Sequence, residues 1–568
     1  MNQEYIQKVV SALKRKKLSK DNLFRLKVKL CSQYNVKKVP TDIEILLNTD
    51  PKDLLVIQRQ LLTKPTRTIS GVAIIAVMSP PYPCPHGRCT FCPGGINSFF
   101  GNVPQSYTGK EPSTRRAIRN HYDPYLITMN RLEQYTVTGH VPEKVEVILQ
   151  GGTFPFYPAD YQANAIRDIF RALNDFSDMF FGKNGFDIAE FKKFFELPGD
   201  IGDNSRLLSI HKKLLQLKEN PSSLEYEQKR NESSKIRCVA LCIETKPDYG
   251  KLKHGNELLN LGCTRVELGI QTIYDDVLRD VNRGHTIQDS VESTKILKDL
   301  GFKITYHMMP GLPGVSKEMD INSLKEIFRN PDYRPDMLKL YPCMVMPGTR
   351  LYADWKKGSF NPITTKEAAE IIAEFKRNVP SYCRIVRIQR DIPTYATASG
   401  VDRTNLRQYV EKVAKEKGVK CRCIRCREAG HALERDKSLK LGKIGINVEE
   451  YEASGGKEFF ISAEEKSNDI LFGYARLRFP GQFLRKEITP KSALIRELHI
   501  YSPAVSLGKK SKNSFQHRGL GKKLLKTAEQ LAKKNRKDKV VVISGIGARE
   551  YFRKLGYKKE GPYMVKKL

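Results

Sequence analysis

Long apolar runs are missing from this chain of 568 residues; the longest, Val72–Met78, falls far below the ~18–20 residues that cross a bilayer. A secretory leader is missing too. The first apolar groups are broken by Lys8 and by the Lys14–Lys17 run, with no small-residue cleavage site behind them. These absences exclude a secreted or integral membrane protein and point to the cytoplasm. Acidic residues are scarce, 63 Asp and Glu against 98 Lys and Arg, for a formal charge of +35. A basic surplus of this size suggests a large polyanion as partner, a generally Lys-rich composition being the alternative. Internal repeats and low-complexity tracts are also lacking, and 40% hydrophobic residues are too many for a disordered polyelectrolyte. At ~100–200 residues per domain the length suggests roughly three or four domains.

Two groups of cysteines stand out. Cys84, Cys89 and Cys92 lie within nine residues, and Cys421, Cys423 and Cys426 within six. In a chain without a secretory signal, tight clusters read as metal sites rather than a disulfide framework. Residues 1–70 are polar and basic: the first forty hold 11 Lys and Arg and only Glu4 and Asp21 as acids. Ile6, Val9, Val10 and Leu13, then Leu23 and Leu26, have helical spacing with cations on the other faces. From Gly71 the pattern is α/β. Strands are expected at Gly71–Met78, Val145–Leu149, Val239–Ile243, Thr264–Leu268, Ile304–His307 and Met337–Tyr341, with helices such as Asp289–Leu300 and Asn322–Phe328 between them. Such alternation implies a parallel sheet, either a barrel or doubly wound, with ligands at the carboxyl ends of the strands. Residues 175–235 read as a charged helical insertion. The alternation ends around Arg384–Arg390, and a connector rich in Lys, Arg and Cys runs to about 440. The last segment is expected to hold strands Ile470–Arg478, Ala493–Tyr501 and Lys539–Ser544. A helix with Leu524, Leu525, Ala528, Leu531 and Ala532 on one face, and a short helix near Glu550–Leu555, belong to it too.

The run Cys84-Pro-His-Gly-Arg-Cys89-Thr-Phe-Cys92 follows directly from a strand. Three thiolates on one loop hold three irons of a [4Fe–4S] cluster and leave the fourth open. A zinc knuckle with His86 as fourth ligand is the alternative. Gly151 and Gly152 follow the next strand, where backbone amides face an amino-acid carboxylate or amine. In the connector, three cysteines at this density suit tetrahedral zinc. Cys343 is the expected fourth ligand, Cys383 and His431 are the rivals, and a second iron–sulfur cluster or reduced thiols are the alternatives. Near the C-terminus, Gln516-His-Arg-Gly519-Leu-Gly521 precedes a helix, where successive amides bind a pyrophosphate. Arg384, Arg387, Arg390, Arg403 and Arg407 alternate with apolar residues and Tyr395, a pattern suited to phosphates and splayed bases.

The Cys84 pattern resembles the radical S-adenosylmethionine enzymes. Gln105-Ser-Tyr-Thr-Gly, Arg116-Ala-Ile-Arg119, Tyr122-Asp-Pro-Tyr125, Gln150-Gly-Gly-Thr-Phe154, Ile243-Glu-Thr-Lys-Pro-Asp-Tyr249 and Asn282-Arg-Gly-His-Thr286 resemble the Elongator catalytic-subunit family in its stand-alone archaeal form. The Gln516 loop is similar to that of GCN5-related N-acetyltransferases (GNAT). The resemblance spans residues 70 to 568. It implies an α/β chain: a radical S-adenosylmethionine partial (β/α) barrel plus a C-terminal GNAT domain, with a basic helical N-terminal segment. The implied division is 1–70 for tRNA binding, 71–395 for radical chemistry, 396–440 for zinc and 441–568 for the acetyltransferase fold.

The implied cofactors are a [4Fe–4S] cluster on Cys84, Cys89 and Cys92, S-adenosylmethionine, acetyl-CoA, and zinc on Cys343, Cys421, Cys423 and Cys426. Gly151, Gly152, Glu244, Arg265 and Gln271 are the expected S-adenosylmethionine contacts. Lys144, Glu497, Leu498, His499, Ile500, Gln516, Gly519, Leu520, Gly521, Lys522 and Tyr551 are those for acetyl-CoA, with Tyr551 and Lys144 as catalytic residues. Two departures stand out: the cysteine spacing is four-then-two rather than three-then-two, and Lys246 stands where relatives usually show Arg. The implied activity is carboxymethylation of C5 of the wobble uridine in a tRNA anticodon stem-loop, from acetyl-CoA by radical chemistry, with accessory subunits or a homodimer as further partners. A protein lysine acetyltransferase with a structural iron–sulfur domain is the alternative. The two reactive pockets are expected to open onto one RNA-lined chamber.

Overall fold

The computed structural model describes residues 2–64, 68–200, 202–436, 438–501 and 519–568. Seven strands form the first sheet: β1 (Ala73–Met78), β2 (Lys144–Gln150), β3 (Arg237–Thr245), β4 (Arg265–Gln271), β5 (Lys303–Met308), β6 (Met337–Leu340) and β7 (Arg384–Ile388). They lie side by side in chain order, and every neighbouring pair is parallel. A doubly wound sheet reverses its strand order at a switch point. This one does not, and β1 and β7 do not pair, so the sheet is a barrel left open along one seam. Along β2, Val145, Val147 and Leu149 enter the core shared with helices Pro124–Val137 and Ala159–Phe180. Glu146 and Gln150, on the other side of the pleat, face the interior.

The basic N-terminal segment folds as four helices, α1 (Gln3–Arg15), α2 (Lys20–Gln33), α3 (Asp42–Asn48) and α4 (Pro51–Leu61). Asn2, Ser19, Thr41 and Asp50 cap them through side-chain oxygens, which accept the orphan amides of each first turn. Ile6, Val9, Val10, Leu13 and Leu23 are buried, whereas Lys8 and Lys14–Lys17 stay on the surface. The helices dock on the barrel's flank, where the Gln58 amide donates to the Gly139 carbonyl (2.9 Å). The insertion is helical: Ile188–Phe194, Asn204–Leu217 and Leu224–Asn231 follow the long helix Ala159–Phe180.

The second sheet holds β8 (Ile444–Ala453), β9 (Gly456–Glu465), β10 (Ile470–Phe479), β11 (Ser492–Ile500), β12 (Lys539–Val542), β13 (Lys558–Glu560) and β14 (Tyr563–Lys567), in the order β8-β9-β10-β11-β12-β14-β13. Only β11 and β12 are parallel. Helix α5 (Leu520–Lys534) buries Leu524, Leu525, Ala528 and Ala532 against one face of this sheet. The other face meets the amino ends of the barrel strands through three arginines with no exposed surface. Arg478 pairs with Asp299 (2.6 Å) and Glu458 (3.0 Å), and Arg496 with Asp336 (2.6 Å) and Glu458 (2.9 Å). Arg476 pairs with Glu497 (2.9 Å) and donates to the Tyr382 carbonyl (2.7 Å). Tyr382 stacks on Tyr451, with ring centres 4.0 Å apart.

Candidate functional site

The loop Cys84–Cys92 leaves the carboxyl end of β1, and Gly151–Gly152 leaves that of β2. Both glycines have positive φ (+118° and +104°), and neither has room for a side chain. A Cβ on Gly151 would stand 3.2 Å from the Ser79 backbone, and one on Gly152 would stand 3.2 Å from Gln105 and 4.0 Å from Cys84 Sγ. Cys84 Sγ lies 3.8 Å from the Thr153 hydroxyl, Cys92 Sγ accepts the Ser106 amide (3.3 Å), and Cys89 Sγ lies 3.3 Å from His86 Nε2. Burial, then the neighbouring Cys89 thiol, pushes Cys92 up to about 11, and burial also raises Cys84. Three thiolates there require a cationic centre. Two sulfurs on one tetrahedral zinc at ~2.3 Å stand ~3.8 Å apart. Among the described residues, these cysteines and His86 form no group with all ligand atoms within 4.8 Å, whereas Cys421, Cys423 and Cys426 do. The wider set fits a cluster of several irons. The glycine cradle, with the nearby buried oxygens Gln150 Oε1 and Gln271 Oε1 lacking hydrogen-bond partners among the described residues, fits a polar ligand such as S-adenosylmethionine.

Below this mouth, on the pleat facing the interior, runs a column of charges. Glu244 accepts from Tyr107 Oη (3.2 Å), Gln150 Nε2 (3.4 Å) and Lys339 Nζ (3.4 Å). Lys339 also bonds Glu267, which accepts from His307 Nε2 (2.8 Å). Burial opposes ionisation of Glu267, but Lys339 and Arg265 outweigh it and hold the carboxyl well below its ordinary value. Glu244, Glu267 and His307 resemble a metal donor set, yet the Lys339 ammonium already supplies the cation. Arg265 is corrected from the expected S-adenosylmethionine contacts. As the first residue of β4 it is buried at the amino end of its strand, paired with Glu146 (3.1 Å) and Glu267 (3.1 Å), away from the mouth. Tyr107, His307 and Lys339 were missed in the sequence. A lone charge inside an apolar parallel strand, as in Met337-Leu-Lys-Leu, was the available signal.

The expected acetyl-CoA residues gather at the opposite end. β11 pairs with β10 as far as Ile500 but with β12 only to Ile495, so the two parallel strands part at Glu497–Ile500. Gly519 adopts φ +77° as the cap of α5, which begins with Leu520, Gly521 and Lys522; a Cβ on Gly521 would stand 2.9 Å from Tyr551 Oη. Gln516 lies outside the described residues. Burial raises the half-exposed Tyr551 phenol. The Glu497 carboxylate is committed to Arg476 and to Lys303 (3.7 Å); burial opposes its ionisation, but Lys303 and Arg476 pull it down to about 2. His499 is packed 4.4 Å from the Tyr501 ring. Lys144 opens β2 beside Arg237 of β3, and Arg237 meets the turn at Gly547 that precedes Tyr551. Burial, then Arg237, lowers the Lys144 ammonium.

Among the described residues, those expected for the two ligands therefore lie toward opposite ends of the barrel strands. At ~3.3 Å per residue, the length of β2 separates them by about 20 Å. Parallel strands put all amino ends on one side, and the second sheet docks there. The column Glu497–Lys303, then Arg265, Glu267, Lys339 and Glu244, runs through the interior between them.

In the connector, Cys423 caps the short helix Ile424–Arg427, and its carbonyl accepts the Cys426 amide (3.0 Å). The neighbouring Cys421 and Cys426 thiols hold Cys423 well below its ordinary value, and the three sulfurs lie close enough together that they could hold a metal ion. The expected fourth ligand, Cys343, is elsewhere: it packs in an apolar cluster with Val277, Met309, Leu312 and Val345. Cys383 is closer, its carbonyl accepting the Ile424 amide (2.9 Å). No fourth ligand atom joins the three within 4.8 Å among the described residues. Of the expected RNA-binding arginines, Arg384 is withdrawn: it pairs with buried Glu428 (2.8 Å) and donates to Tyr501 Oη (2.7 Å). Arg403 and Tyr395 remain exposed.

Family models match along the chain: the ELP3 N-terminal domain at residues 2–69, the Radical SAM superfamily at 79–327, the Radical_SAM C-terminal domain at 335–416 and the Acetyltransferase (GNAT) domain at 499–567. The tRNA uridine(34) acetyltransferase of Methanocaldococcus infernus is 45% identical over 93% of this chain and 92% of its own length. Elongator complex protein 3 of Homo sapiens is 38% identical over 96% and 93%. The solved structure of the archaeal Methanocaldococcus infernus Elp3 with N-terminus deletion superposes with a TM-score of 0.71 at 41% identity, covering 88% of this chain and 100% of that one. Radical S-adenosylmethionine and acetyltransferase units thus occur together in one chain, and that chain belongs to the family of the tRNA uridine(34) acetyltransferases and Elongator complex protein 3.

Proposed function

We propose that this enzyme modifies the wobble uridine of tRNA, building a carboxymethyl group at C5 from acetyl-CoA. The observation that carries the reading is the pairing, in one chain, of the Cys84 loop at one end of a half-barrel with a splayed β11–β12 edge and a glycine-capped helix at the other. When bound, S-adenosylmethionine on a [4Fe–4S] cluster supplies hydrogen-abstracting radical chemistry, and acetyl-CoA supplies the two-carbon unit.

Cys84, Cys89 and Cys92 hold the cluster; Gly151 and Gly152 admit the amino-acid end of S-adenosylmethionine. Glu244 and Gln271 border its pocket from β3 and β4. At the other end, the amides that open α5 at Gly519–Lys522 receive the pyrophosphate of coenzyme A. The main chain of Glu497–Ile500 would line the thioester arm, with Tyr551, beside Gly521, and Lys144, at the start of β2, as the residues that act on the bound acetyl-CoA. The Glu497 side chain anchors β11 rather than touching acetyl-CoA. The charged column inside the half-barrel, in place of the apolar layers of a closed barrel, lies between the two ends. Zinc on Cys421, Cys423 and Cys426 staples the connector between the sheets. Surface cations at Lys8, Lys14–Lys17 and Arg403 hold the RNA backbone, so binding weakens as salt rises.

Nucleoside analysis of tRNA after anaerobic incubation with reconstituted enzyme, acetyl-CoA and S-adenosylmethionine tests the reading. A carboxymethylated wobble uridine that requires all three is expected. Acetyl transfer to a basic peptide, indifferent to S-adenosylmethionine, is the result that overturns it in favour of a protein acetyltransferase.

A further inference from the structure

We infer that His86 is a positioning residue of the radical centre, donating its Nε2–H to the sulfur of Cys89, and that Lys246 fixes the tautomer that makes this bond. The inference rests on the reading of Cys84, Cys89 and Cys92 as cluster ligands. Lys246 Nζ stands 3.0 Å from His86 Nδ1, 3.2 Å from Asp248 Oδ2 and 3.3 Å from the Gly284 carbonyl. An ammonium has three donors and no acceptor, and here each donor meets one acceptor. Nδ1 therefore accepts, the ring is neutral, and its single proton sits on Nε2. That nitrogen is 3.3 Å from Cys89 Sγ.

The ring is held on both sides. A Cβ at Gly284, where φ is +70°, would come within 2.4 Å of His86 Cβ, and Asn282 Nδ2 donates to the carbonyls of His86 (3.4 Å) and Arg88 (2.9 Å). Arg283 Nη1 adds a second donor, 3.8 Å from the same sulfur. A guanidinium at position 246 would present a planar fork of five donors in place of this three-way junction. Lysine here is therefore matched to the imidazole rather than a neutral exchange for arginine.

Hydrogen bonds to ligand sulfurs help set the potential of an iron–sulfur cluster. An N–H donor stabilises the form carrying the extra electron, so the bond from His86 raises the midpoint potential and eases delivery of an electron from an external one-electron reductant. The full-length chain is reconstituted anaerobically as wild type, His86→Ala and Lys246→Met. Iron and sulfide are counted, and the midpoint is read by electron paramagnetic resonance during a potentiometric titration. The expected result is a full cluster whose midpoint moves to lower potential in His86→Ala and moves the same way, by less, in Lys246→Met. In parallel, the reduced wild type labelled with 15N-histidine is expected to show a weak histidine nitrogen coupling to the cluster spin by pulsed spectroscopy, a readout that needs no variant. A full cluster with an unmoved midpoint, or no histidine coupling in the wild type, overturns the inference alone. Wild-type protein that takes zinc or no metal at these cysteines overturns the cluster reading along with it.

Discussion

Replacing Asp336 with Ala removes the acceptor on which two buried arginines of the second sheet converge. Arg496 bonds both carboxylate oxygens (2.6 and 2.7 Å), Arg476 approaches to 3.5 Å, and the Ile304 amide donates a further bond (2.9 Å), all without exposed side-chain surface on the acid or either arginine. The arginines keep one carboxylate each, Glu458 for Arg496 and Glu497 for Arg476. Removing one member of a buried pair costs ~3–5 kcal/mol, and two lost charge-assisted bonds at ~1.5–3 kcal/mol each give a similar sum. The expected loss at pH 7 is thus about 3–5 kcal/mol. Burial opposes ionisation of Asp336, but Arg496 and Arg476 outweigh it and depress its pKa. Its contribution is therefore fully present above the unfolded value of ~3.9 and shrinks as pH falls below it. Urea unfolding can be followed by Trp355, the single tryptophan, for the barrel, and by hydrogen exchange in β10 and β11 for the second sheet, because a chain of this size need not unfold in one step. Faster exchange in β10 and β11 is expected before the barrel signal moves. A loss below ~1 kcal/mol at pH 7, less than the low end for such a pair, or a difference that stays constant down to pH 3, would refute the reasoning.

Exchanging Cys84, Cys89 and Cys92 for Ser together is expected to abolish iron uptake and uridine modification while tRNA affinity, read by gel shift, stays within about twofold, ~0.4 kcal/mol. A bulky side chain at Gly521 meets Tyr551 Oη, so Gly521→Val is expected to weaken acetyl-CoA about tenfold, ~1.4 kcal/mol, by calorimetry. Cys423→Ser, or treatment with a zinc chelator, is expected to lower zinc content to zero and to speed hydrogen exchange in residues 421–435, with iron content unchanged; retained zinc contradicts the staple.

Much of the fold was legible because apolar runs such as Val145–Leu149 mark strands buried on both faces. Six of the seven barrel strands were found this way. The seventh, Arg384–Ile388, reads as Arg-Ile-Val-Arg-Ile, since Arg384 turns to the buried acid Glu428, so its charge hid a buried strand. Strands β8 and β9 escaped for a related reason: β8 carries four charged or polar positions on an exposed edge, and its partner buries Glu458 against Arg478 and Arg496. The cysteine and glycine loops were readable because a chain-local motif supplies all their donors. The place of Cys343 and the interior column were not, because Cys343 and Arg265 are placed by packing between distant segments.

The most direct measurement supplies acetyl-CoA deuterated in its methyl group to the anaerobic reaction with tRNA and follows the label by mass spectrometry. Delivery of the acetyl group from the second sheet to the radical centre predicts deuterium in the 5′-deoxyadenosine released and a carboxymethyl group retaining the remaining label on the tRNA. Unlabelled 5′-deoxyadenosine, with the fully deuterated acetyl group transferred intact, would contradict it.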